Sequence, residues 1–297
     1  MKRLISANAS DIQRMSSAQL KQSIKASEGR TILSENIAIY PSTIMDITSS
    51  EIAKAFGADM ILINMIDVFK PAVWGLENQD DFARQLKELT GAPIGINLEP
   101  VDPNAKMLET ALEVSNGRQA SVETLKKIEE LGMDFVCFTG NPGTGVTNQA
   151  IIESVKMSKE YFSGLVIAGK MHGAGVDEVV ADINNVKQLI EAGADIILVP
   201  SIGTIPGFDH DQLKALVKVA HDNDALVMSA IGTSQEGANP ETIRYMAIQN
   251  KICGVDIQHI GDAGYGGLAP VMNIFEMSQA VRGIRHTISR MARSIKR

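Results

Sequence analysis

Short runs of aliphatic and β-branched residues recur along most of the chain, each followed by a Gly, Pro, Ser or Asn cluster and then by a longer segment with helical spacing. The runs span 37–42 (IAIYPS), 60–65 (MILINM), 93–99 (PIGINLE), 135–140 (FVCFTG), 164–170 (GLVIAGK), 195–201 (DIILVPS), 225–232 (ALVMSAIG) and 254–261 (GVDIQHIG). Helices are predicted between them over Ser49–Phe56, Asp80–Thr90, Ser121–Leu131, Gln149–Tyr161, Asp177–Ala192, Asp209–Asn223 and Pro240–Asn250, and a last one opens near Pro270. Ser121, Asp209 and Asn239 can cap free helix N–H groups, and several helices end at glycine, as in AFGAD, ELGMD and EAGAD. The Gly-Ala/Met-Asp triplet before the second, fourth and sixth runs reads as one recurring turn. Aliphatic runs without polar alternation are what parallel strands buried on both faces require. Eight βα units therefore predict an α/β fold, a (β/α)8 barrel of the triosephosphate-isomerase (TIM) type. The competing open doubly wound sheet lacks its signature, because no GxGxxG follows the first run at YPSTIMD.

This pattern predicts one barrel domain over residues 1–297. Residues 1–36 form an N-terminal helical extension, with one or two helices near Ser10–Ser27 that cover the barrel bottom or contact a subunit. Residues 101–120 are an insertion after the third strand and a candidate lid. From Arg282 the chain carries six cations and no acid, so 282–297 is a basic closing helix. It either packs its Ile284, Ile288, Met291 and Ile295 stripe on the barrel or a neighbouring subunit, or serves as a binding tail for RNA or an acidic partner.

Composition narrows the function classes. With 44% apolar and 21% charged residues the chain has ample material for a buried core. A net charge of −7 argues against nucleic acid as a partner of the main body. No run nears the roughly 18 apolar residues that cross a bilayer, and MKRLISANASDIQRM lacks the apolar core of a secretion signal, so a cytoplasmic protein is expected. Cys137 and Cys253 both sit in apolar runs and are expected to be buried thiols. A homo-oligomer is expected for a barrel of this kind.

In such barrels the binding groups come from the strand ends and the loops that follow them. The first strand offers Ser42 and Asp46, the second Asn64 and Asp67, and the third Asn97 and Glu99. The fourth leads into Asn141, Gly143 and Thr144, the fifth into Lys170 and His172, and the sixth into Ser201. After the seventh and eighth come the turns GTSQEGANP and GDAGYGG, with Gly232, Thr233, His259, Gly261, Asp262 and Gly264. Glycines there suit a phosphate held on backbone N–H groups, although left-handed turns explain the same glycines. The loop NPGTGVTNQ is a second anion cradle, or simply a capped turn. Lys170 is placed for a Schiff base or for neutralising an enolate or phosphate, and His172 or Glu99 for moving the proton. Asp46, Asp67 and Glu99 together are a candidate Mg2+ set. The expected ligand is a small phosphorylated or carboxylated carbonyl metabolite. The expected activity is of lyase, aldolase or isomerase type; a non-catalytic metabolite- or partner-binding barrel is the alternative.

The stretch SEGRTILSENIAIYPSTIMDITSSEIAKAFGADMILINMID resembles the opening of barrels of the phosphoenolpyruvate mutase and phosphoenolpyruvate hydrolase-like group. That resemblance covers about the first quarter of the chain. It implies a pyruvyl or enolpyruvyl phosphate substrate and a Mg2+ ion on strand-end acids, for which Asp67 and Glu99 are the nearest matches. The Lys-x-Cys-Gly-His loop of the lyase branch is missing from this sequence, so its cysteine chemistry is not carried over. The turns after strands seven and eight look instead like those of phosphate-binding barrels, including sugar-phosphate isomerases and lysine-dependent aldolases. In many of those aldolases the Schiff-base lysine lies on strand six, whereas Lys170 falls on the fifth run.

Overall fold

A computed structural model of the chain describes residues 1–264 and 266–297. Eight parallel strands close into a barrel in chain order, β1 next to β2 and so on round to β8 beside β1. The strands are β1 (Thr31–Ile37), β2 (Met60–Asn64), β3 (Ile94–Leu98), β4 (Phe135–Phe138), β5 (Leu165–Gly169), β6 (Ile196–Pro200), β7 (Leu226–Ile231) and β8 (Ile257–Ile260). Seven of them lie within the aliphatic runs. The first does not, because β1 is Thr31–Ile37 (TILSENI) and residues 38–42 already belong to the loop. Its Ser34, Glu35 and Asn36 are all buried, Glu35 facing inward and the other two the helix layer, so a strand with a polar centre was hidden behind the more aliphatic segment that follows it.

Outside the barrel run α3 (Ser49–Ala55), α4 (Phe82–Thr90), α5 (Val122–Glu130), α6 (Asn148–Tyr161), α7 (Ile183–Ala192), α8 (His210–Asp222), α9 (Pro240–Ile252) and α10 (Val271–Met291). The predicted cap residues Ser121, Asp209 and Asn239 each accept a backbone N–H of the helix they precede. Helix α7 begins six residues later than its spacing suggests. Asp182 caps it, and 177–182 stay in the preceding loop, where Glu178 accepts the N–H of Asn148 at 2.8 Å.

The recurring triplet has a mechanical role that extends to all four even strands. Asp59, Asp134, Asp195 and Asp256 each accept, on a carboxylate oxygen, the backbone N–H of Ile32, Ile94, Val166 and Val227 on the strand before, at 2.9, 2.8, 3.0 and 2.9 Å. Each also donates its own N–H to the carbonyl of that same residue. Odd and even strands are thus buttoned in pairs at the N-terminal end of the barrel, and the glycine before each aspartate supplies the left-handed turn.

The N-terminal extension folds as α1 (Ala9–Ile12) and α2 (Ser17–Lys25). Leu4, Ala7, Ile12, Leu20 and Ile24 form one apolar cluster with the inward-facing Leu33, Met60, Phe135, Leu165, Ile196, Leu226 and Ile257. The extension therefore plugs the bottom of the barrel. Gly95 contributes by omission, since a Cβ there would lie 2.2 Å from the Phe135 ring that fills the interior.

The aliphatic stripe of the basic closing segment does not pack on its own barrel, the first of the two seats expected for it. Gly283, with φ 71°, breaks α10 into two arms. Arg282 and Arg290 are buried against Asp59, while Ile284, Ile288 and Ile295 are exposed. Arg290 also donates to the carbonyl of Ala7 at 2.9 Å, and Arg293 to Asn8 Oδ1 at 2.6 Å. These arginines clasp the plug and the β2 turn together rather than forming a tail.

Candidate active site

Above the apolar layers, the inward positions at the C-terminal ends of the strands turn polar. Together with the loops they line a cavity of about 100 Å³ formed by Glu35, Asn64, Asn97, Thr139, Asn141, Met171, His172, Gly232, Thr233, Glu236, Gly261 and Asp262, among others. Strand period explains the set. Glu35 lies two residues beyond the inward Leu33, Asn64 two beyond Leu62, Thr139 two beyond Cys137, and Gly232 two beyond Ala230.

A network of three asparagines forms one wall. Met65 adopts φ 57°, a left-handed conformation costly for a side chain of this size, and its N–H donates to Asn64 Oδ1 at 2.8 Å. That bond fixes which way the Asn64 amide points. Asn97 and Asn141 must then offer their NH2 groups to the same oxygen, at 3.0 and 3.1 Å. Asn64 in turn donates to Asn141 Oδ1 at 2.9 Å and to Asp262 Oδ2 at 2.8 Å. The carbonyl oxygen of Asn97 is left buried without a partner.

The acids adjoin this wall. Glu35, on β1, shares a hydrogen bond of 3.0 Å with Nε2 of the fully buried His259 on β8. Burial, then the Glu236 and Glu99 carboxylates, push the Glu35 carboxyl up to about 8. Asp262, half-buried in the cavity wall, is likewise pushed up to about 8, by burial first and then by Glu35. Burial depresses both imidazoles to about 4, with Lys170 adding to the effect at His172. His172 accepts the Ala174 N–H on Nδ1 at 3.0 Å, so the neutral ring carries its proton on Nε2.

Glu35 and Glu236 are the residues that sequence reading missed. Glu35 was lost with the misplaced first strand. Glu236 sits in a 3-10 turn after β7, buried, and accepts the Ala263 N–H at 2.8 Å. The glycine after β8 answers to this carboxylate. A Cβ on Gly261 would come within 2.8 Å of Glu236 Oε1. The turns after β7 and β8 do meet at the cavity, as expected, but a protein carboxylate holds an N–H there that a phosphate would need. Gly261 N–H is bonded to Ile231 O and Gln235 N–H to Gly232 O. Gly264 is not in the cavity wall; a Cβ there would strike Leu268 O at 2.3 Å.

Several other candidates stand apart from the cavity. The Ser42 hydroxyl bonds the carbonyls of Ile44 and Ile47 and organises its own loop. Ser201 is paired with Asn250 behind β6. Gly143 and Thr144 belong to an interlocked roof. Leu112 donates its N–H to Gly143 O, Gly145 to Ala174 O, and Leu108 to Gly175 O, so the insertion is laced to the loops after β4 and β5. Lys170 follows the inward Gly169 and does not line the cavity. Its fully buried side chain bonds Glu178 at 2.6 Å, and burial lowers its pKa while Glu178 opposes the shift.

The candidate Mg2+ acids are dispersed. Asp46 is exposed. Asp67 accepts the N–H groups of Phe69 and Lys70 and packs on Gly117, anchoring the insertion. Glu99 is ion-paired with Arg118 and accepts Asn141 N–H at 2.9 Å. Among the described residues no three His, Cys, Asp or Glu side chains are arranged to hold a metal ion. These three residues therefore do not fit the ion that the resemblance implies.

Comparison with known proteins agrees on architecture. Residues 5–297 match the model of a family described as a domain of unknown function (DUF7916). No curated protein matches the chain in sequence. Among solved structures, a provisionally assigned lyase/mutase from Burkholderia cenocepacia J2315 is similar, with 16% identity, TM-score 0.51, and 92% of this chain and 96% of that one covered. So is a provisionally assigned fructose-1,6-biphosphate aldolase from Coccidioides immitis, with 12% identity, TM-score 0.52, and coverages of 94% and 98%. A third is 2,3-dimethylmalate lyase, described as a member of the PEP mutase/isocitrate lyase superfamily, with 12% identity, TM-score 0.51, and coverages of 83% and 81%. At these identities the likeness is one of fold.

Proposed function

The chain belongs to the DUF7916 family, and we propose that it is an acid–base enzyme of lyase or isomerase type, moving a proton at the carbon next to the carbonyl of a small metabolite. One observation carries this reading. Two carboxyl groups from opposite ends of the chain, Glu35 and Asp262, meet at one cavity and hold their protons up to about 8. Carboxyls tuned towards the working pH are what proton transfer at carbon requires.

The roles follow from the partners. The ionised member of the pair takes the proton from the α-carbon, and the electron pair of that C–H bond moves to the carbonyl oxygen. The Nε2–H of neutral His172 stabilises the developing enolate, as a neutral imidazole can without surrendering a proton. The protonated member returns a proton to the neighbouring carbon or oxygen. Alternatively, the enolate forms by cleavage of the adjacent C–C bond, with the acceptor carboxylate taking the hydroxyl proton of the departing fragment. Lys170 is a positioning residue in this scheme, since its bond to Glu178 pins the loop that carries His172.

Incubation in D2O with a panel of small aldehydes, ketones and 2-oxo acids, both phosphorylated and not, tests the reading by NMR. The expected outcome is loss of α-proton signal for at least one compound, slowed by about 10²-fold or more in Glu35→Gln and in Asp262→Asn. The rate should rise with pH towards an apparent pKa near 8. Exchange that persists unchanged in both variants would remove the two acids from the chemistry. Borohydride with substrate is expected to leave Lys170 unlabelled.

A further inference from the structure

Part of the free hydrogen-bonding capacity of the cavity is accepting. Three side chains at its wall, each at most 3% exposed, carry a polar atom with no partner: Asn97 Oδ1, Thr139 Oγ1 and Glu236 Oε2. Two of these are pure acceptors, and the orientation of Asn97 is dictated by the Met65 N–H through Asn64. A buried acceptor left unmet costs about 1–3 kcal/mol, so the cavity favours a ligand that brings donors.

Some of the groups that would greet an anion are already committed. Ala263 N–H is taken by Glu236 and Asn141 N–H by Glu99. Arg118 is paired with Glu99, and Lys170 with Glu178 outside the cavity wall. A phosphate here would face Glu35, Glu236 and Asp262 with no free cation among the described lining residues. The volume, about 100 Å³, suits a small ligand.

We propose that the cavity takes an uncharged, hydroxyl-rich carbonyl compound, an unphosphorylated short sugar or hydroxyketone. Its O–H groups donate to Asn97 Oδ1 and Glu236 Oε2, and its remaining oxygen pairs with the Thr139 hydroxyl. The proposal names the substrate class of the acid–base site above and rests on that reading for the carbonyl alone. The hydroxyl-donor requirement stands on the free acceptors.

Calorimetric titration of the intact protein at neutral pH with dihydroxyacetone, its phosphate ester, inorganic phosphate and ethanolamine tests the class without requiring turnover. Dihydroxyacetone is expected to bind with a dissociation constant on the order of 1 mM, as fits a six-atom ligand, and the phosphates at least about tenfold more weakly. Glu236→Gln keeps an oxygen for Ala263 but replaces the free acceptor with an NH2 donor and removes the charge. It should weaken dihydroxyacetone by about tenfold and strengthen phosphate, an inversion that partial unfolding cannot mimic. Asn97→Ala should weaken the polyol without helping phosphate. Tighter binding of the phosphate ester or of ethanolamine, or no binding of dihydroxyacetone at tens of millimolar, on the order of ten times the expected constant, would overturn the class. Binding of dihydroxyacetone without proton exchange would sink the enzymatic reading and leave the ligand class standing. Exchange confined to phosphorylated compounds would do the reverse.

Discussion

Glu35 shows how a single side chain links stability, chemistry and legibility. A carboxyl whose pKa is raised on folding binds more protons in the native than in the unfolded state, so stability is lost as pH climbs through that window. For Glu35 and Asp262 the window runs from the ordinary carboxylate range up to about 8. The two histidines depressed to about 4 act with the opposite sign, removing stability as pH falls from their ordinary value of 6.5. Between about 6.5 and 8 the two raised carboxyls, joined by His221, whose pKa its bond to Asp256 raises, outweigh Lys54, which burial lowers to about 7 and which acts the other way above that value, so the unfolding midpoint should fall across that interval in scanning calorimetry. Glu35→Gln should flatten the fall and, near pH 8, be more stable than the parent by about 1–2 kcal/mol, the usual trade between stability and a functional carboxyl. A midpoint insensitive to pH in both proteins would contradict the assignment. The same residue explains the error in the first strand. A glutamate flanked by Ser34 and Asn36 reads as loop, because local pattern rules fail where function installs polar groups in a core strand. Asn64, Asn97, Asn141, His172 and Asp262 were legible because each follows a clear aliphatic run. Glu236 was not, since nothing in GTSQEGANP marks its carboxylate as buried.

At the level of elements, the aspartates that open the even strands do similar work, but one is unlike the rest. Asp134 and Asp195 meet lysines, and Asp256 meets His221. Asp59 is fully buried between two arginines of α10. Burial alone would raise its pKa, and Arg282, Arg290, the Ile32 N–H and Lys54 together more than offset that, holding it below the usual carboxylate value. Removing one partner leaves uncompensated charge in the core. Asp59→Ala should cost about 3–5 kcal/mol in urea unfolding, against less than about 1 kcal/mol for removing the exposed Lys106–Asp177 pair. Similar costs for both would mean that the clasp is not desolvated as described. The recurring triplet was visible in the sequence as a turn. Its role as a double hydrogen bond to the preceding strand was not, because that partner lies some 27 to 40 residues away. For the same reason the cationic run of 282–297 looked like a surface feature. Its partner is far off in sequence.

The whole molecule is a barrel with one end filled. Repeated buried parallel strands made this architecture readable, and helix caps and glycine turns set most boundaries to within a few residues. The plug of residues 4–24 occupies the bottom with apolar side chains that also belong to the interior cluster, while the laced insertion narrows the top. The cavity is consequently a cul-de-sac. Whatever diffuses in must back out through the same doorway, so a departing product obstructs the next arrival. A cleavage yielding two fragments should therefore release them in a fixed order, the outer one first, so that in steady-state kinetics only the inner fragment, the last to leave, inhibits competitively with substrate.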